Sequence, residues 1–167
     1  MRLLIFILAL LPAKKNYADT ISIDKVRILY GEAAVNYNSC EKLISSLSYF
    51  SEKNNPLLAG YKACATMIMA KHVLNPFSKF SIFTNGKLLL EKSISIDKAN
   101  IELRFLRFSV QTKSPQFLGY NKTIEEDKRF LIQYFVNLKD LQLKQLIISF
   151  LRTSKYLSKD EKQIVNR

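Results

Sequence analysis

Arg104, Arg107 and Gln111 stand three and four residues apart, so a helix carries them on one stripe with two guanidiniums a turn from each other. Two such forks together can hold a carboxylate or a phosphate, which makes this stripe the candidate binding site for an anionic small molecule or lipid. The competing reading is internal: the same forks pair with carboxylates of neighbouring helices, Glu91, Glu102 and Glu32 being the candidates. What separates the readings is whether the charge partner belongs to the chain.

Other reactive side chains are few. Cys40 and Cys64 would form a disulfide in an oxidising compartment, closing a loop of about 25 residues worth roughly 3.5 kcal/mol; the alternative is two buried, inert thiols. The single histidine, His72, comes eight residues after Cys64 and so lies about 12 Å along the same helix, too far for a thiolate–imidazole pair. Near a helix end its charge is favoured by the macrodipole without any catalytic role, and the same holds for Glu125, Glu126 and Asp127 in a first helical turn. One His and two Cys cannot supply the four ligands of a structural zinc site, so no metal and no cofactor is expected. Gly-rich phosphate loops, Gly-x-Ser-x-Gly elbows and His-Glu-x-x-His pairs do not occur in the sequence, and no catalytic residue is assigned.

The segments that must position these groups read as helices. Asn-Pro pairs, Ser/Thr/Asn/Asp caps and the absence of apolar–polar alternation predict an all-α chain of eight to nine helices. Helices are expected at about residues 24–36, 38–50, 55–74, 76–84, 87–96, 97–113, 123–138, 140–153 and 158 onward. Asn38 with Glu41, Thr123 with Glu126 and Ser158 with Glu161 read as capping boxes, and Asn85-Gly86 reads as a turn or an interruption. Connections of two to eight residues favour an antiparallel bundle or a short α-solenoid of helical hairpins. Two helices look central. Residues 56–74 are apolar nearly all round with small residues at Ala59, Gly60, Ala63, Cys64 and Ala65. Residues 99–113 carry two apolar stripes, Ile101/Phe105/Phe108 and Leu103/Leu106/Val110, separated by the Arg104/Arg107/Gln111 seam and by a Glu102/Ser109 seam. Such a helix is sandwiched between two cores.

The N-terminus supplies an address. Arg2 precedes a nine-residue apolar run at residues 3–11, Pro12 breaks it, and a polar stretch ends at Ala18, the layout of a signal peptide over residues 1–18 with one helical domain after it at 19–167. Nine apolar residues are too few to span a bilayer as a helix, so no transmembrane span is expected in the mature chain. Cleavage takes Arg2, Lys14 and Lys15 from the +12 of the 167-residue chain and leaves +9. The lysines are dispersed with no basic stripe interleaved with aromatics, which argues against nucleic acid and for weak association with anionic envelope surfaces.

The stretch LEKSISIDKANIE at residues 90–102 resembles the second helix and exit turn of a tetratricopeptide repeat, with Lys98 where that turn carries Pro; an ordinary helical hairpin sharing the turn is the alternative. Residues 57–120, with the segments GYKACATMIMAKHVLNP, ELRFLRFSVQ and PQFLGY, resemble a family of uncharacterised exported helical proteins of Bacteroidetes-type bacteria. That resemblance implies an exported, periplasmic or envelope protein and transfers no activity. The functional expectation is a small helical adaptor that binds a peptide or protein partner between its helices, with an anionic small molecule or lipid at Arg104 and Arg107, or an enzyme of unfamiliar type, as alternatives.

Overall fold

A computed structural model describes residues 21–166, so the leader read at residues 1–18 lies outside the described residues. Within them the chain forms eight α-helices and no strand: α1 (Ile23–Ala33), α2 (Tyr37–Ser46), α3 (Pro56–Met69), α4 (Pro76–Ile96), α5 (Ile101–Lys113), α6 (Ile124–Tyr134), α7 (Leu141–Thr153) and α8 (Lys159–Asn166), with 3-10 turns at Gln116–Leu118 and Phe135–Asn137. The all-α expectation holds, and the packed helices form a bundle.

Asparagine starts half of these helices. Asn36, Asn55, Asn75 and Asn100 each turn the side-chain oxygen onto one or two amides of the first turn of α2, α3, α4 and α5, a cap worth about 1 kcal/mol apiece. Pro56 and Pro76 come directly after two of them, at a position where a missing N–H costs nothing. Asp140 caps α7 through the Leu143 amide, and Ser158 with Glu161 forms the expected reciprocal box at α8.

Three local expectations are corrected. Asn36, not Asn38, caps α2. The helix expected from about residue 97 begins at Ile101 instead, capped by Asn100, while Asp97 ends α4 and accepts from the Asn100 amide group. Asn85-Gly86 makes no turn: α4 runs unbroken for 21 residues, because Gly86 is where α4 touches the backbone of α3. A Cβ there would come within 2.6 Å of the Ala63 carbonyl oxygen and 2.7 Å of Met67 Cγ. Glycine at this site serves close packing, not chain reversal.

The core has two lobes with α5 as their common wall. Leu103, Leu106 and Val110 face the first, built from α1–α4 around Val26, Leu43, Tyr61, Cys64 and Leu90. Phe105 and Phe108 face the second, built with Ile124, Leu131, Ile147 and Leu151 of α6 and α7. Both stripes read from the sequence therefore do what their spacing requires.

The relative direction of the helices decides which of their ends share a surface. Arg27 near the start of α1 meets Glu102 near the start of α5, and Tyr30 one turn on meets Ser109 further along α5. In α3, Tyr61 meets Glu102, Cys64 lies beside Tyr30, and His72 just beyond the helix meets the Ala33 carbonyl at 3.0 Å. So α1, α3 and α5 advance in one sense and end together, and α4, antiparallel to α3, begins at that same end.

Candidate functional site

Both polar seams of α5 are closed by the chain itself. On the first, Arg107 donates through Nε and a terminal nitrogen to the two oxygens of Asp127, at 2.6 and 2.8 Å, and through its other nitrogen to Glu91 at 2.9 Å. Arg104 donates to Asp127 at 2.8 Å and to Glu126 at 2.6 Å, and its guanidinium stacks on Phe130. Asp127 is wholly buried, so desolvation pushes its carboxyl up while the Arg107 and Arg104 contacts pull it down. Glu126, half exposed, is held below the ordinary range by its hydrogen bond from Arg104. Gln111 bonds the Thr123 hydroxyl at 2.9 Å. Glu91 is completed by a 2.6 Å bond from Tyr120.

The candidate anion site at Arg104, Arg107 and Gln111 therefore has its donors occupied, and the internal reading of the seam is the one realised. One of the anticipated partners, Glu91, takes part. The main partner, Asp127, carries a role beyond the helix-dipole one read from its first-turn position. The capping box read at Thr123 and Glu126 is absent for the same reason: the hydroxyl is drawn to Gln111 and the carboxylate to Arg104, and Thr123 makes no cap bond.

The second seam repeats the device. Arg27 donates bidentately to Glu102 at 2.7 and 2.9 Å, and also to Asp140 and Gln142 of α7 and its cap. Tyr61 adds a short hydrogen bond to Glu102, and Tyr30 bonds Ser109 at 2.7 Å. Asp140 is held below its usual value by the Leu143 amide and then by Arg27. These bonds join α1, α3, α5 and α7, and among the described residues no fully buried side-chain polar atom lacks a partner.

Cys40 and Cys64 are free and buried, so of the two readings, a bridge or two inert thiols, the structure has the second. Each faces a different neighbour: the Cys40 thiol donates to the Ala65 carbonyl at 3.3 Å, whereas Cys64 lies beside the Tyr30 hydroxyl. Burial pushes Cys40 up to about 11 and Cys64 further, so neither carries a reactive thiolate at neutral pH. His72 ties the exit of α3 to the Ala33 carbonyl at the end of α1 and stacks edge-on with Tyr37. No group of three or more His, Cys, Asp or Glu that could hold a metal occurs among the described residues.

The feature that spacing does not reveal is an unfilled groove of about 640 Å³ between α1, the end of α3, the start of α4 and α5, with Phe150 of α7 and the turn at Gln116–Leu118 as its sides. Its wall includes Tyr30, Met67, Phe80, Phe83, Val110 and Phe150. The polar atoms along it are already engaged, Tyr30 with Ser109 and Ser114 with the Val110 carbonyl. Gly31 lines it, and a Cβ added there meets nothing within 4 Å. No Asp or Glu lines the groove; Lys71, Lys79 and Lys113 do, at the end where α1, α3 and α5 finish. None of the three has an ion-pair partner among the described residues, Lys113 lying instead over the Phe150 ring. Packed interiors leave few voids larger than a water molecule, and this volume falls within the roughly 300–1,000 Å³ of small-molecule sites.

No protein-family model matches the chain, and comparison with curated proteins and with solved structures found no match either.

Proposed function

We propose that the chain is a binding protein, without a catalytic centre, that seats a single-chain amphiphile with an anionic head, a long-chain carboxylate or a lysophospholipid, in the groove beside Gly31. The observation that carries this reading is the pairing of an apolar, unfilled wall with three lysines at one end and no carboxylate. A hydrocarbon chain fits a wall whose hydrogen-bonding atoms are internally satisfied, because it brings no polar group that needs a partner. An extended peptide would bury its amides without acceptors. The head group gains the unmatched charge of Lys71, Lys79 and Lys113.

The apolar run at residues 3–11 supports export, which would place this function in the periplasm or cell envelope, where such amphiphiles are at hand. An adaptor role toward a protein partner is the second reading. It is favoured by the half-open form of the groove, since an amphipathic helix also arrives with its backbone paired.

Titration of the full chain with a dansyl-labelled undecanoic acid, below its micellar concentration, tests the proposal. Saturable 1:1 binding with Kd on the order of 1 μM, displaced by palmitate, is expected. Gly31→Phe, whose Cβ meets nothing within 4 Å at the groove wall, should abolish it while the melting temperature is kept. Binding that is absent, or unchanged in Gly31→Phe, would refute the proposal.

A further inference from the structure

The four most exposed large apolar side chains among the described residues, Leu74 at 95%, Val35 at 88%, and Phe77 and Phe117 at 85% each, all stand at one end of the molecule. Val35 comes just after α1, Leu74 lies in the α3–α4 turn, Phe77 is in the first turn of α4, and Phe117 is in the 3-10 turn after α5. This is the end where α1, α3 and α5 finish and α4 starts, and Phe80, Phe117 and Lys79 of this end also line the groove. Scattered exposed apolar residues need no cause; a cluster of the most exposed ones does.

Charge at this end is one-sided. The three segments that build it, residues 33–38, 70–80 and 112–122, contain Lys71, Lys79, Lys113, Lys122 and His72 and not one Asp or Glu. Two carboxylates border the first of these segments, Glu32, which accepts from Ser39, and Glu41, which accepts from Tyr37, so cations outnumber anions here without the anions being absent from its edge. Protruding Phe and Leu among unpaired lysines match the two layers of a lipid interface, acyl chains below and anionic head groups above. A protein partner of the usual size would instead ask for flanking polar groups of both signs.

We infer that this end docks on an anionic lipid bilayer, with Leu74, Phe77 and Phe117 entering the interface and the lysines on the head groups. The end of the groove lined by Lys79, Phe80 and Phe117 then lies next to the membrane. The docking stands on the exposed apolar cluster and the lysines around it, and does not depend on what the groove holds.

Flotation of the full chain with phosphatidylcholine vesicles, with and without roughly 30% phosphatidylglycerol, tests it. Binding is expected only to the anionic vesicles and falls as salt rises. Phe77→Ser with Phe117→Ser should lower the bound fraction about tenfold, and Lys71→Glu with Lys79→Glu should remove the preference for anionic lipid. Helical circular dichroism should be retained in both, since all four side chains are at the surface. Gly31→Phe should float as the unaltered chain does, which separates docking from filling of the groove. Three results would each overturn the inference: no flotation, flotation indifferent to the Phe pair and so owed to another surface such as residues 3–11, or a concentration-dependent dimer that the Phe pair abolishes.

Discussion

The Arg104/Arg107 seam and the Gly31 groove are built on opposite plans, although α5 supplies a wall to both. In the seam every cation meets a carboxylate of the same chain, down to the wholly buried Asp127. In the groove Arg27 is held by Glu102 and Asp140, but Lys71, Lys79 and Lys113 meet no carboxylate, and apolar surface is left without neighbours. A buried charge satisfied internally stabilises one arrangement of helices, whereas unmatched charge beside an empty apolar wall is a demand directed outside the chain. The contrast separates a structural use of arginine from a recognition use of lysine.

Removing Asp127 breaks the first half of that contrast most severely. Asp127→Ala leaves two guanidiniums at the buried end of the seam without their shared carboxylate, and a loss on the order of 3–5 kcal/mol is expected in urea unfolding monitored by circular dichroism. Arg107→Glu should be at least as damaging, because it sets a new carboxylate against Asp127. A stable Arg107→Glu variant would mean that the seam is not structural.

Two of the helical glycines, Gly86 and Gly31, sharpen the comparison from the packing side. Gly86→Ala forces a methyl group against the Ala63 carbonyl and Met67, and should cost about 1–3 kcal/mol in the same assay. Gly31→Ala adds a methyl to open space in a helix and should instead gain about 0.5–1 kcal/mol. Opposite signs at two glycines of one fold would arise directly from one closing a core and the other opening a groove.

Acid titration should give the smallest effect. Glu126 is held down by Arg104, and Asp140 by the Leu143 amide and then Arg27, so the ionised form of each is favoured by the fold. Such a contribution is complete above the ordinary values of 4.5 and 3.8 and is lost as pH falls through and below them. The melting temperature should therefore fall on acidification below about pH 4.5, and Glu126→Gln should flatten that fall. Burial holds the Asp127 carboxyl up, which acts in the opposite sense, so the test is the difference between chains: a Glu126→Gln variant whose melting temperature follows pH as the unaltered chain's does would contradict the assignment of this contact.

How far the sequence carries depends on what kind of information each feature needs. Periodicity is enough for α5, because 100° per residue places Ile101, Phe105 and Phe108 opposite Leu103, Leu106 and Val110 whatever they pack on. Internal pairing of the arginines is readable as an alternative, and Glu91 as one partner, since opposite charges at seams must meet something. Asp127 is not, because a first-turn Asp already has a local explanation and only tertiary packing buries it. Asn85-Gly86 misleads for a related reason: a turn-forming pair is equally a place where two helix backbones touch, and only the neighbour decides. The groove is invisible since spacing tells which side chains leave water, not which space they fail to fill.

Whether the groove, and not the arginine seam, is the place of recognition is tested most directly by amide chemical shifts of the labelled full chain during titration with laurate. Saturable shifts centred on Tyr30, Gly31, Lys79, Ser109 and Phe117, with Arg104, Arg107 and Asp127 unmoved, are predicted. Shifts centred on the arginine seam, or no saturable shifts at all, would contradict it.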